Sequence, residues 1–146
     1  MPSALDKRVQ FNFLYNSVSL RNRLALKRFL VRLLKNEGKN PGALNYIFCS
    51  DSYLLKINKK YLNHNFLTDI ITFPLSGPMQ PIVADIYISL DRVRENSKNF
   101  KTSIKQELHR VIFHGALHLC GYKDKSKHEA AKMRKKEEEY LALYFK

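Results

Sequence analysis

His114 and His118 stand four residues apart in the run Phe113-His114-Gly115-Ala116-Leu117-His118-Leu119-Cys120-Gly121-Tyr122. Residues 108–119 are mostly apolar and read as a helix, so both imidazoles project from one helix face. Gly121 stops the helix, because glycine reaches left-handed backbone conformations at little cost. Asp124 then follows six residues after His118. Two histidines one turn apart, a glycine turn and a returning carboxylate make a three-ligand set that suits zinc and leaves a fourth position for water. His128 is the runner-up for the third ligand, since the helix it opens would have to start beside the metal. Cys120 comes third, because it lies past His118 on a different side of the helix. His109, five residues before His114, also falls on another face and reads as a non-ligand. Zinc proteases share the histidine spacing but carry a glutamate base after the first histidine. Gly115 stands there instead and carries no proton, so peptide hydrolysis is a poor fit. Bound zinc acidifies a coordinated water from about 15.7 to about 7 and polarises a phosphoryl oxygen, which suits phosphodiester cleavage.

The chain has 146 residues and a formal charge of +13, with 26 Lys and Arg against 13 Asp and Glu. That length predicts one domain, residues 1–146. The charge points to a polyanionic partner, nucleic acid before an anionic membrane. No run approaches the ~18 apolar residues that span a bilayer. Residues 1–9 carry charges and lack the apolar core of a signal peptide. Cys49 and Cys120 form no zinc-type pair in sequence, so a reduced, cytoplasmic protein without membrane association is expected.

The elements that must position the histidines follow from periodicity. Residues 9–14 alternate as a strand. Residues 20–36 read as a helix capped by Ser19, with Leu26, Leu30, Leu33 and Leu34 facing the core and Arg21, Arg28, Arg32 and Lys35 on another side. A loop over 38–42 leads to a strand at 45–49, where Cys49 reads as a buried apolar side chain. Residues 51–62 read as a helix with an apolar stripe of Leu54, Leu55, Ile57, Tyr61 and Leu62. Strands follow at 69–73 and 82–90, and their short connection makes them antiparallel neighbours. A polar helix at 91–99 precedes the central helix, which Ser103 caps with Gln106 in capping-box position. Ser126 and Glu129 form a second capping box. It opens the last helix, 127–144, in which Met133, Leu141 and Leu143 can pack and residues 134–139 form a solvent-facing charge run. The earlier strand–helix–strand order implies parallel pairing. The prediction is an α+β domain: a mixed sheet of about four strands, helices mainly on one face, and a metal site at the end of the central helix.

The run from His114 to Tyr122 resembles the signature of the YbeY family of rRNA maturation factors, H-G-x-L-H-L-x-G-Y-D-H. It departs at the end, where the family's aspartate aligns with Lys123 and its third histidine with Asp124. Asn58 to Pro74 is similar to the family's N-x-x-Y-R…T-D-V-L-S-F-P, and Ala84-Asp85-Ile86 to its G-D-I strand. The resemblance implies a zinc-dependent endoribonuclease specific for single strands, acting in small-subunit rRNA processing and ribosome biogenesis. It implies one zinc per chain, with His114, His118 and Asp124 as metal-binding and catalytic residues. A carboxylate ligand adds negative charge and makes the metal a weaker acid than a third histidine would. The family's arginine, a residue suited to phosphate binding or transition-state charge, is Leu62 here. Lys60, Lys123 or Lys125 are the available replacements. Tyr61, Phe66 and Tyr122 are candidates for stacking a base. The alternative is a metal-stabilised rRNA-binding assembly factor that cuts nothing.

Overall fold

A computed structural model describes residues 7–146, so most of the N-terminal segment read above for a signal peptide lies outside the described residues. In chain order the elements are β1 (Val9–Phe13), α1 (Arg23–Asn36), β2 (Pro41–Cys49), α2 (Asp51–Leu62), β3 (Ile70–Pro74), β4 (Ile82–Ser89), α3 (Leu90–Asn99), α4 (Ile104–Leu119) and α5 (Lys127–Tyr144). The four strands form one sheet in the order β1-β2-β4-β3. β1 pairs parallel with β2, and β2 with β4. β3 and β4, joined by a short loop, pair antiparallel. This is the mixed four-stranded α+β sheet that the element order predicts. No helix among the described residues is long and apolar enough to cross a membrane.

Alternation along the strands divides the sheet into two faces. Ala84, Ile86 and Ile88 of β4 join Leu44, Tyr46 and Phe48 of β2 in the main core, beneath α1, α4 and α5. The opposite face carries a smaller cluster, in which Leu54 of α2 packs on Cys49 and Ile71 with Tyr87 at its edge. Helices therefore lie mainly on one face, with α2 covering the other. Burial pushes the Cys49 thiol up to about 12, as expected of an inert core cysteine.

The central helix is α4. Leu108, Val111, Ile112, Phe113, Ala116 and Leu117 are all buried on it. Ser103 caps its start, its hydroxyl accepting from the Gln106 N–H at 3.0 Å. The Tyr46 phenol, fully buried, donates to the Ile112 carbonyl at 2.9 Å and ties helix to sheet. Gly115 lies where α4 meets the sheet. A Cβ there would come within 2.8 Å of Ile70 Cδ1 and 3.1 Å of Ile86 Cγ2. The close approach of helix to sheet thus leaves no room for the glutamate that a zinc protease needs.

Several local expectations give way to tertiary context. Ser19 does not cap α1, which starts later, after Asn22 in the left-handed region at φ 55. Leu20, expected inside the helix, is instead buried ahead of it. β2 begins at Pro41, within the predicted loop. Tyr61 and Leu62 do not complete the α2 stripe, with 58% and 40% exposure, because Asn58 takes the buried place. Leu143 also points outward, while Tyr140 is buried instead. Ser89 is fully buried because its hydroxyl donates to Asp51 and accepts from the Arg92 N–H at the start of α3.

Candidate metal centre

The end of α4 is built so that its turn also serves the site. Tyr122 N–H bonds the Leu117 carbonyl at 3.1 Å, and Gly121 N–H bonds the His118 carbonyl at 3.0 Å. These paired bonds are the Schellman arrangement, and Gly121 at φ 101 supplies the left-handed residue it requires. The turn presents the Tyr122 carbonyl to His118 Nδ1 at 2.9 Å. Two residues on, Asp124 faces both histidines. Its Oδ2 lies 3.2 Å from His114 Nε2 and 3.5 Å from His118 Nε2. One ligand atom from each of the three residues falls within 4.8 Å of the others.

The tautomers follow from the partners. His114 Nδ1 lies 2.5 Å from Glu137 Oε2, and His118 Nδ1 meets a backbone carbonyl. Both partners can only accept, so in a neutral imidazole Nδ1 carries the proton and Nε2 the lone pair. In that form two imidazole lone pairs and a carboxylate oxygen converge, an arrangement that a divalent cation satisfies. The donor set of two nitrogens and one oxygen fits zinc. The carboxylate–histidine contact is also the outer support that metal-ligating histidines generally use.

Glu137 corrects the sequence reading. The charge run at 134–139 is not simply solvent-facing, because Glu137 is 2% exposed. Burial alone would raise its pKa, but the His114 hydrogen bond and the Arg110 guanidinium outweigh it and hold the carboxylate below its usual range. Arg110 donates from Nη1 to Glu137 at 3.0 Å and binds buried Glu107 through Nε at 2.9 Å and Nη2 at 2.5 Å. The missed signal was periodicity: Glu137 shares the buried stripe of α5 with Met133, Tyr140 and Leu141.

The triad opens into a cleft of about 650 Å³, lined also by Asn58, Leu62, Phe66, Asp69 and Lys125. Leu62 and Lys125 thus reach the cleft that holds the histidines. Burial pushes the Asp69 carboxyl above its usual range despite nearby His114 and Arg110. His128 and Cys120 line a separate cleft with Glu37 and Lys132, away from the triad. Burial lifts the Cys120 thiol up to about 12. His109 is 3% exposed, its Nδ1 on the Lys105 carbonyl, and it stacks on Tyr144. It is a core residue.

A family model described as endoribonuclease YbeY matches residues 15–144. The chain is 48% identical over 134 residues to the endoribonuclease YbeY of Flavobacterium johnsoniae, covering 91% of this chain and 96% of that protein. It is 43% identical over 136 residues to the protein of the same name from Porphyromonas gingivalis, covering 92% and 89%. In fold it is similar to a solution structure from Thermotoga maritima, with a TM-score of 0.63 and 24% identity over 94% of this chain and 89% of that one.

Proposed function

This chain belongs to the endoribonuclease YbeY family, and from that premise we propose a zinc-dependent endoribonuclease that cleaves single-stranded RNA during small-subunit rRNA maturation and ribosome biogenesis. Residues 1–146 act as one metal-dependent domain in the cytoplasm. His114 and His118, through Nε2, and Asp124, through Oδ2, hold one zinc ion per chain. The observation that carries this reading is the convergence of those three atoms while both Nδ1 atoms are engaged elsewhere.

Zinc bound there supplies Lewis acidity toward a phosphoryl oxygen and an acidified water. The chain supplies the rest. Glu137 and the Tyr122 carbonyl fix the two imidazoles, so their lone pairs need no reorganisation on binding metal. Arg110 holds Glu137 as an anion. Lys125, on the rim of the same cleft, draws the phosphate backbone toward the triad. Of Lys60, Lys123 and Lys125, it is the one that lines this cleft with Leu62, which fills the place of the family's arginine.

The test is cleavage of a single-stranded RNA by the purified chain, with metal content measured in parallel. His114→Ala should abolish cleavage and leave RNA binding nearly unchanged, since phosphate contacts lie elsewhere. Metal content should drop with it. Cleavage at the original rate by His114→Ala would reject the mechanism. That activity would belong to a contaminating nuclease, leaving the second reading, a metal-stabilised rRNA-binding assembly factor, which Leu62 in the arginine's place favours.

A further inference from the structure

The three aromatic side chains that could stack a base occupy different surroundings. Tyr122 is already engaged. Its hydroxyl donates to Glu37 at 2.8 Å, and Lys132 and Lys136 face its ring at 5.7 and 6.0 Å. Tyr61 leans edge-on against Phe73 and is absent from the lining of the metal cleft. Phe66 lines that cleft, yet its side chain remains 56% exposed. Its ring lies nearly parallel to the His64 imidazole, with centroids 5.1 Å apart and an interplanar angle of 23°. His64 lines the same cleft.

The segment carrying this pair is anchored. Asn58 of α2, 2% exposed, donates Nδ2 to the Phe66 carbonyl at 3.0 Å, and its own carbonyl accepts from the His64 N–H at 3.2 Å. Asn63, at φ 54, makes the turn between helix and loop. One buried asparagine thus holds the backbone at both aromatic positions. The ring stays open to solvent while it stacks on His64. A π-face held in position beside a metal site and a lysine is what an unpaired base requires.

The geometry points to the Phe66–His64 pair as a base-stacking platform that selects single-stranded RNA at the metal cleft, an inference that rests on the endoribonuclease reading. A base within a duplex already has both faces covered by its neighbours and cannot stack on the pair. An unpaired base can, whatever its identity, because every base has a π-face. The platform therefore selects strandedness without reading sequence. Lys125 on the same rim supplies the phosphate attraction, which is a separate contribution.

Binding of a fluorescent single-stranded oligoribonucleotide to the metal-loaded chain tests this. Phe66→Ala should weaken binding about 5- to 150-fold, the range expected for loss of one stacked base. Phe66→Leu should weaken it similarly, since leucine keeps an apolar side chain but lacks the ring face, and Phe66→Trp should restore it. The log–log salt slope, roughly −0.7 per phosphate contact on single strands, should be the same in all three, because no cation is removed. Binding by Phe66→Leu equal to the unsubstituted chain would overturn the platform alone. Failure of the unsubstituted chain to bind or cut single-stranded RNA would overturn the endoribonuclease reading, and the platform with it.

Discussion

Glu137→Gln separates the histidine support from the ligands themselves. Glutamine keeps the shape and one acceptor oxygen but removes the charge and puts an amide donor in the pocket. Glu137 now takes a hydrogen bond from His114 Nδ1 and another from Arg110. With the amide oxygen on His114, the amide nitrogen faces a guanidinium, donor against donor. With the oxygen on Arg110, His114 loses its acceptor. Either way one bond to a charged group is lost, about 1.5–3 kcal/mol of stability. The full cost of a broken buried ion pair, about 3–5 kcal/mol, should not appear, because Arg110 keeps both bonds to Glu107. Removing such an outer partner typically lowers metal affinity about 10- to 100-fold. Denaturant unfolding in the presence of a chelator reads the stability loss, and competition with a chromophoric chelator reads zinc affinity. Affinity within about twofold of the unsubstituted chain would show that α4 alone orients His114 and would refute the support argument.

Two further outcomes follow from the same geometry. Asp124→Ala should lower zinc affinity by about tenfold or more, and His128→Ala by less than about twofold, since a lost ligand acts directly and His128 lies in a separate cleft; chelator competition on both variants decides, and the reverse order would reject Asp124 as the third ligand. Leu62→Arg should raise the cleavage rate about ten- to a hundredfold by adding a donor at the cleft, scaled down from the loss of one preorganised donor; Leu62 is 40% exposed, so the fold should tolerate it, and an unchanged rate would mean that another cation such as Lys125 already fills the role.

The cluster that the structure brings together was legible in the sequence because it is local. His114, His118 and Asp124 lie within eleven residues, and helical spacing followed by a glycine turn fixes their relation without reference to the rest of the chain. The same holds for the caps at Ser103 and Ser126, each observed with its side chain accepting a backbone N–H. The mixed sheet was legible as well, since connection lengths constrain strand direction. The supports of the site were not. Glu137 is 23 residues from His114 and sits in a run of charges, where composition suggests solvent. Its spacing from Met133 and Leu141 marks the buried side, but only the packing of α5 on α4 gives it His114 and Arg110 as partners. Asn58 opens the family-like segment in the sequence, but its role does not show there: it is a polar residue buried because the loop after α2 folds back onto its side chain. Phe66 is the converse, an apolar residue kept exposed by where that loop is held. Periodicity reports which side of an element is apolar, whereas a buried polar group depends on partners that only the assembled fold brings within hydrogen-bond reach.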